Sequence, residues 1–433
     1  MSSTSLRSRR SVTTRAFAAV AASSLVLAAC GGGDDDTAGD DTETDDSAQS
    51  QPAGGGADGD LTLKVGTVLP QTGNLAFLGP PEEAGVALAA KEINDADLGI
   101  TVEVTYGDSG DTDNKAYATT VPQLLSAGVN VIVGAASSGV SKLFIDEVTA
   151  AGVLQISPAN TSPDFTDWDD DNLYWRTAPS DLLQGDVLGN LVAEDGNQTA
   201  SILYINDAYG TGLEKAFTEV FEAAGGEVVA SESYNTGDTT FDAQISTLTA
   251  ANADTMVLIT FDEAVTIVPA LSAAGVDTSN LYFVDGNLKN YGDQLDAGML
   301  EGSKGTLPGP ALEDDFQTRL NEAWEAEGNE PLEDFSYAGE SYDAVVLTAL
   351  AALAAGSTEG ADIASKMQEV SGGAGGGEKA TDVATALQTV VDGGTVDWDG
   401  PSGPITFDEK GDPTEATIGI YEYDGENNYA RIN

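Results

Sequence analysis

The chain has 433 residues, too many for one ordinary hydrophobic core, and its 41% hydrophobic content is enough to build two domains. It carries 72 acidic residues against 17 basic ones, a formal charge of −55, which argues against nucleic acid and anionic membrane surfaces as electrostatic partners. There is no histidine and a single cysteine, which excludes Ser-His-Asp and Cys-His catalysis, the usual zinc sites and any intramolecular disulfide. No cofactor and no metal site is expected.

Residues 1–29 read as a targeting segment. Arg7, Arg9, Arg10 and Arg15 make a basic start, and the apolar run Ala16–Ala29 is too short to span a bilayer. The run ends in Leu27-Ala28-Ala29-Cys30, which resembles the lipobox of bacterial lipoproteins. That resemblance implies cleavage before Cys30 and lipidation of its sulfur. Residues 30–60 then hold Gly, Asp, Thr, Ser, Ala and Gln without large apolar side chains until the next segment, the composition of a disordered acidic tether.

From Leu61 the chain alternates strand and helix. Leu61–Val68 reads as a strand and Pro81–Asn94 as a helix, with Pro81 suited to the first turn and Glu82 and Glu83 placed to complement the dipole. Ile100–Tyr106 is a strand, Asp113–Ala127 a helix, and Val131–Val133 a β-branched, buried-type strand. A second unit repeats this rhythm, with helix Asp181–Glu194, strand Ser201–Ile205, a helix ending at Ala224, strand Glu227–Tyr234, helix Asp242–Ala250, strand Thr255–Ile259, helix Ala264–Ala274 and strand Leu281–Val284. Four helices follow, Glu313–Glu327, Ser341–Ala355, Ala361–Val370 and Ala380–Val391, interrupted by the glycine-rich run 372–377. Two strands, Pro404–Phe407 and Ile418–Tyr423, close the chain. Such βαβ repetition makes parallel sheets with helices on both faces, an α/β fold.

The stretch Val131–Thr161 is the most informative. One strand leads into Gly134-Ala135-Ala136-Ser137-Ser138-Gly139 and the next into Ser157-Pro158-Ala159-Asn160-Thr161. Two strands therefore bring hydroxyls and free N–H groups to the carboxyl edge of one sheet, where open α/β sheets bind ligands. A helix starting at Ser137 or Ser138 would favour an anion such as a carboxylate there.

Several motifs, in order, resemble the leucine/isoleucine/valine-binding protein family, receptors of bacterial ABC importers. They are Leu69-Pro70-Gln71-Thr72-Gly73 with Glu92-Ile93-Asn94; Ile156 to Pro163; Arg176-Thr177-Ala178-Pro179-Ser180-Asp181 with Gln184-Gly185; Tyr209-Gly210 with Gly212-Leu213; Tyr342-Asp343-Ala344-Val345; and Gly403 to Asp408 with Gly411-Asp412. The resemblance covers residues 61 to about 425 and implies a type I periplasmic binding protein: two Rossmann-like lobes with central parallel sheets, hinged by three crossovers, closing around an amino acid. It implies an N-terminal lobe of 61–179 plus 305–415 and a C-terminal lobe of 180–304 plus 416–433. It also puts the last helices on the first lobe and the final strand in the second.

Carried over one position at a time, the family's carboxylate-binding serine falls on Ser138. The carbonyl and threonine that meet the ammonium and carboxylate fall on Ala159 and Thr161. The second-lobe tyrosine falls on Tyr209, a further aromatic on Phe261, and the acid that neutralises the ammonium on Asp285. Leu78 stands where family members carry an aromatic over the ligand side chain, which leaves branched-chain-like amino acids, other amino acids, amides and ureas open as ligands. The expected partners are thus a small amino acid-like solute, an ABC importer permease and, through Cys30, the outer face of the cytoplasmic membrane. The same cleft would serve a sensory lipoprotein that presents its ligand to a signalling partner. An enzyme is not expected, because no nucleophile with a base in reach is legible.

Overall fold

The computed structural model describes residues 60–433. The targeting segment, Cys30 and the tether up to residue 59 lie outside the described residues. Five strands build the first sheet: β1 (Leu61–Val68), β2 (Ile100–Thr105), β3 (Val131–Gly134), β4 (Leu154–Ser157) and β5 (Tyr174–Arg176). All are parallel, in the order β2-β1-β3-β4-β5. Their burial matches their composition, since β3 and β4 are buried at every position between two helical layers.

The second sheet takes β6 (Thr199–Ile205), β7 (Glu227–Tyr234), β8 (Thr255–Ile259), β9 (Leu281–Phe283) and β10 (Lys304–Pro308). A small third sheet follows in the chain, of β11 (Glu378–Ala380), β12 (Val396–Gly400) and β13 (Gly403–Pro404). The chain then returns to the second sheet with β14 (Ile418–Tyr423) and β15 (Tyr429–Arg431), giving the order β15-β14-β10-β9-β8-β6-β7. Within it β7-β6-β8-β9-β10 repeats the order of the first sheet. Strand order reverses between β1 and β3 in one lobe and between β6 and β8 in the other. A cleft opens at such a reversal because successive connections leave to opposite faces.

The chain passes between the lobes three times, after β5, after β10 and ahead of β14. The two large sheets have separate cores, and the small third sheet packs Ala380, Val396 and Trp398 into the first. The first is closed by helix 338–355, which is long and apolar enough to cross a membrane but is mostly buried against helices 79–96 and 360–370. The core of the second lobe does not stop at the lobe boundary. It continues across the cleft to Leu75, Leu78, Ala136 and Ala159 of the first lobe.

Several expectations need correction. Lys304–Pro308 pairs with β9 and β14, so the boundary expected at 304/305 moves past Pro308. The pairing is long-range, and the run Lys-Gly-Thr-Leu-Pro carries no alternation to announce it. The helix expected from Asp113 starts at Tyr117, because Asp111 Oδ1 accepts from the Asp113 and Asn114 N–H groups and Lys115 sits at φ +57°. The helix expected from Ala380 starts at Val383, where Asp382 caps it, and residues 378–380 form β11 instead. The strand expected over Pro404–Phe407 is a strand only at Gly403–Pro404, with Phe407 in an isolated antiparallel bridge to Pro413. Glu82 does lie in the first turn of the helix, which begins two residues earlier than expected, at Gly79. Glu82 and Glu83 are both buried, and Glu83 accepts from Gln71 Nε2 at 2.7 Å.

Candidate functional site

The first-lobe side of the cleft is built by two loops that hold each other. Asn160 donates from Nδ2 to the carbonyls of Ala135 (2.9 Å) and Ala136 (2.8 Å), and Ser157 Oγ donates to Ala135 O at 2.7 Å. Asn160 is itself oriented by the Tyr174 hydroxyl, which donates to its Oδ1 at 2.8 Å. Beneath the second loop lies Arg176, wholly buried. Its guanidinium grips Asp412 in fork geometry, Nε to Oδ1 at 2.6 Å and Nη2 to Oδ2 at 2.7 Å, and donates from Nη1 to Ser162 O at 2.7 Å. Bidentate charge-assisted bonds of this kind give fixed orientation as well as energy. The motif around Gly411-Asp412, 236 residues away in sequence, is therefore a prop for the ligand-side loop.

The loop after β3 leads into a helix of only four residues, Ser138–Ser141, capped by Ser137 Oγ. The field of one turn is small, so the anion-binding capacity of this edge rests on hydroxyls and N–H groups rather than on a long helix dipole. Ser138 Oγ accepts from Ser162 N at 3.3 Å, tying the two loops once more. At Gly139 an added Cβ would lie 2.7 Å from Asp207 Oδ2 of the second lobe. Only glycine lets the two lobes come this close.

On the second-lobe side Tyr209 follows β6, Phe261 follows β8 and Asp285 follows β9, so parallel strands deliver all three to one edge. Asp207 Oδ1 accepts from Gly210 N at 2.9 Å and sets the turn that aims Tyr209. The Tyr209 and Phe261 rings stack with centroids 5.3 Å apart. Asp285 is 4% exposed and takes two tyrosine hydroxyls: Tyr209 donates to Oδ1 and Tyr337 to Oδ2, each at 2.7 Å. Burial pushes the Asp285 carboxyl above its ordinary range, and the two hydroxyls pull it back only in part. Both tyrosines are raised far above theirs, first by burial and then by the Asp285 charge, so they stay protonated as donors.

Six of the seven sequence-derived ligand-site residues line one interlobe cavity: Leu78, Ser138, Ala159, Tyr209, Phe261 and Asp285, together with Leu75, Ala136, Ser137, Gly286 and Tyr337. Thr161 is not in that lining. It lies buried beside it with Oγ1 unpartnered, and its carbonyl accepts from Asp181 N at 2.7 Å. The cavity is tight, about 10 Å³, the room of roughly one water, so the lobes must part to admit a solute.

Two residues of the site escaped sequence reading. Tyr337 stands at the start of helix 338–355, far from any strand end, at φ +60°. A non-glycine residue pays roughly 1–2 kcal/mol for that conformation. Here it directs the hydroxyl onto Asp285. Asp181 was legible as a helix-start acid and as part of the Arg176–Asp181 motif, but not as a residue of the site. It is wholly buried with neither carboxylate oxygen partnered, and burial followed by the Asp285 charge raises its carboxyl well above the usual range. Gln184 Oε1 is also buried and unpartnered, so acceptors are in excess on this side of the site.

The fold and this cleft are those of a two-lobed solute receptor. A sequence profile described as "Periplasmic binding protein" matches residues 62–427. The chain belongs to the periplasmic binding protein family, a family of solute-binding proteins. It is 27% identical over 367 residues to a leucine-, isoleucine-, valine-, threonine- and alanine-binding protein of Pseudomonas aeruginosa, covering 84% of this chain and 90% of that one. It is 28% identical over 385 residues to a Leu/Ile/Val-binding protein homologue of Brucella abortus, covering 87% and 95%. In fold it is similar to a leucine-binding protein of Thermotoga maritima, with a TM-score of 0.68, 20% identity, and 86% and 98% of the two chains covered. It is also similar to a branched-chain amino acid receptor of Streptococcus pneumoniae solved with isoleucine, with a TM-score of 0.66, 23% identity, and 86% and 99% covered.

Proposed function

We propose that this protein captures an amino acid between its lobes and hands it to an ABC permease at the outer face of the cytoplasmic membrane, held there by a lipid on Cys30. One observation carries the reading: Asp285 is buried in the interlobe cavity, opposite the Ser138 and Ala159 loops. A zwitterion removed from water needs donors at its carboxylate and a negative charge at its ammonium. Ser138 and neighbouring N–H groups serve the first need. Asp285, Ala159 O and Thr161 Oγ1 serve the second, and the unpartnered Asp181 adds a further acceptor.

The remaining wall is apolar. Leu75, Leu78, Tyr209 and Phe261 suit an aliphatic side chain, in keeping with the relatives named for leucine, isoleucine and valine. The buried Asp285 disfavours amides and ureas, which bring no cation to pair with it. No bond needs to break: binding followed by hinge closure is the mechanism.

A melting screen of the twenty amino acids with small amides and ureas tests this, since a solute that binds only the folded state raises its melting temperature. L-leucine, L-isoleucine or L-valine is expected to raise it. A rise with an amide or urea and with no amino acid would overturn the reading. For the anchor, Cys30→Ser is expected to release the protein from the membrane fraction, and unchanged retention would remove the lipid from the proposal.

A further inference from the structure

We infer that Asn74 and Glu263 form an interlobe clasp that positions the ligand wall without touching the ligand. Asn74 lies on the first-lobe loop between β1 and helix 79–96, the loop that carries Leu75 and Leu78 to the cavity. It is engaged twice by the second lobe. Its Nδ2 donates to Glu263 Oε1 at 3.0 Å, and its carbonyl accepts from Asp262 N at 3.1 Å.

The other oxygen of Glu263 faces inward. Oε2 accepts from the Tyr234 hydroxyl at 3.0 Å and from the Phe261 N–H at 3.2 Å. One carboxylate therefore fixes Phe261, a wall of the cavity, and holds the opposite lobe at the same time. The loop on the other side is rigid enough to transmit this. Asp108 accepts from the Gln71 and Thr72 N–H groups, both at 3.1 Å, and from the Thr72 hydroxyl at 2.6 Å. A second contact flanks the first: Lys289, ion-paired with Asp262, places its ammonium 5.4 Å from the Phe77 ring centroid.

This explains why Phe77 lies outside the small cavity although its neighbour Leu78 lines it. The clasp acts through Phe261 and lobe closure, so Asn74 and Glu263 are positioning residues. They set how long a captured solute stays rather than how fast it enters. The inference rests on the two-lobed receptor reading, but its first test needs no solute.

The experiment is hydrogen exchange on the full chain in buffer, followed by mass spectrometry, for wild type, Asn74→Ala, Glu263→Ala and the double variant. The Asp262 amide donates to the Asn74 backbone carbonyl, which Asn74→Ala retains, so its protection reports whether the loop stays docked once the side-chain bond to Glu263 is gone. Peptides covering 260–264 are expected to lose protection roughly 10- to 100-fold in Asn74→Ala, the range for a hydrogen bond to a charged group. Peptides within β8 should be unchanged, which separates loss of the clasp from loss of fold. The double variant should be no worse than Glu263→Ala alone, because both ends belong to one bond. Unchanged protection at 260–264 in Asn74→Ala, or additive losses in the double variant, would overturn the clasp. With L-leucine as probe, Asn74→Ala should speed release with little change in capture rate. If leucine does not bind at all, leucine is ruled out as the solute while the exchange result still stands.

Discussion

Replacing Asp285 by alanine removes the one second-lobe carboxylate that lines the cavity. The side chain is 4% exposed and accepts two hydroxyl bonds of 2.7 Å, so it is held in place before any ligand arrives. Truncating one partner of a buried charge pair costs about 2–5 kcal/mol, which is roughly 30- to 4,000-fold in affinity. The buried, unpartnered Asp181 remains nearby as an acceptor, which places the expected loss toward the lower end of that range. Asp285→Asn should lose less, since its amide oxygen still accepts from one tyrosine and its NH2 can donate to the oxygen of the other. Both variants should melt lower than wild type, because Tyr209 and Tyr337 lose a buried partner. Affinity is therefore to be measured by titration calorimetry well below the melting range, with the amino acid that gives the largest thermal shift. Asp285→Ala within threefold of wild type would show that the residue merely turns the chain before Gly286, and the ammonium partner would have to be Asp181 or absent.

Arg176→Met should destabilise the fold by about 3–5 kcal/mol, the cost of leaving one member of a buried ion pair behind, and Arg176→Met/Asp412→Leu should recover part of that in denaturant melts. Burial raises Glu340 from its ordinary 4.5 to about 8. A carboxyl raised on folding keeps its proton in the folded state longer than in the unfolded chain, so its contribution to stability falls as pH rises from about 4.5 to 8. Glu340→Gln should flatten the pH dependence of melting across that window and melt a few degrees higher than wild type near pH 8.5; equal slopes would refute the assignment. With a formal charge of −55, self-repulsion should make the protein melt higher in about 1 M NaCl than in ~10 mM, where the screening length is roughly 30 Å. A melting point independent of salt would show the acids to be too dispersed to matter.

Local patterns carried much of this protein. β-branched runs such as Val131–Val133, each followed by a helical stretch, define parallel strands buried on both faces, because only βαβ crossovers bury such runs so completely. Six of the seven ligand-site positions lie in one cavity for the same reason, since a parallel sheet sends the ends of its strands to a common edge. Where capping chemistry competes with periodicity, as at Asp111 and Asp382, element boundaries shifted by several residues.

What the sequence alone determined, then, is whatever a few neighbouring residues can encode: the α/β alternation, the strand-end loops, and the ordered motifs that mark the family. What only the tertiary structure decided are pairings whose partners lie far apart in the chain. Arg176 reaches Asp412, Tyr337 reaches Asp285 from a helix start with no strand end near it, and Asn74 reaches Glu263 across the lobe boundary. Asp181 belongs with these, because in sequence it is an ordinary helix-start acid, and only burial without a partner makes it a site residue. Side-chain hydrogen bonds of this kind span about 2.7–3.2 Å in space whatever the separation in sequence. No local propensity depends on them, so they become visible only when the lobes have folded and met.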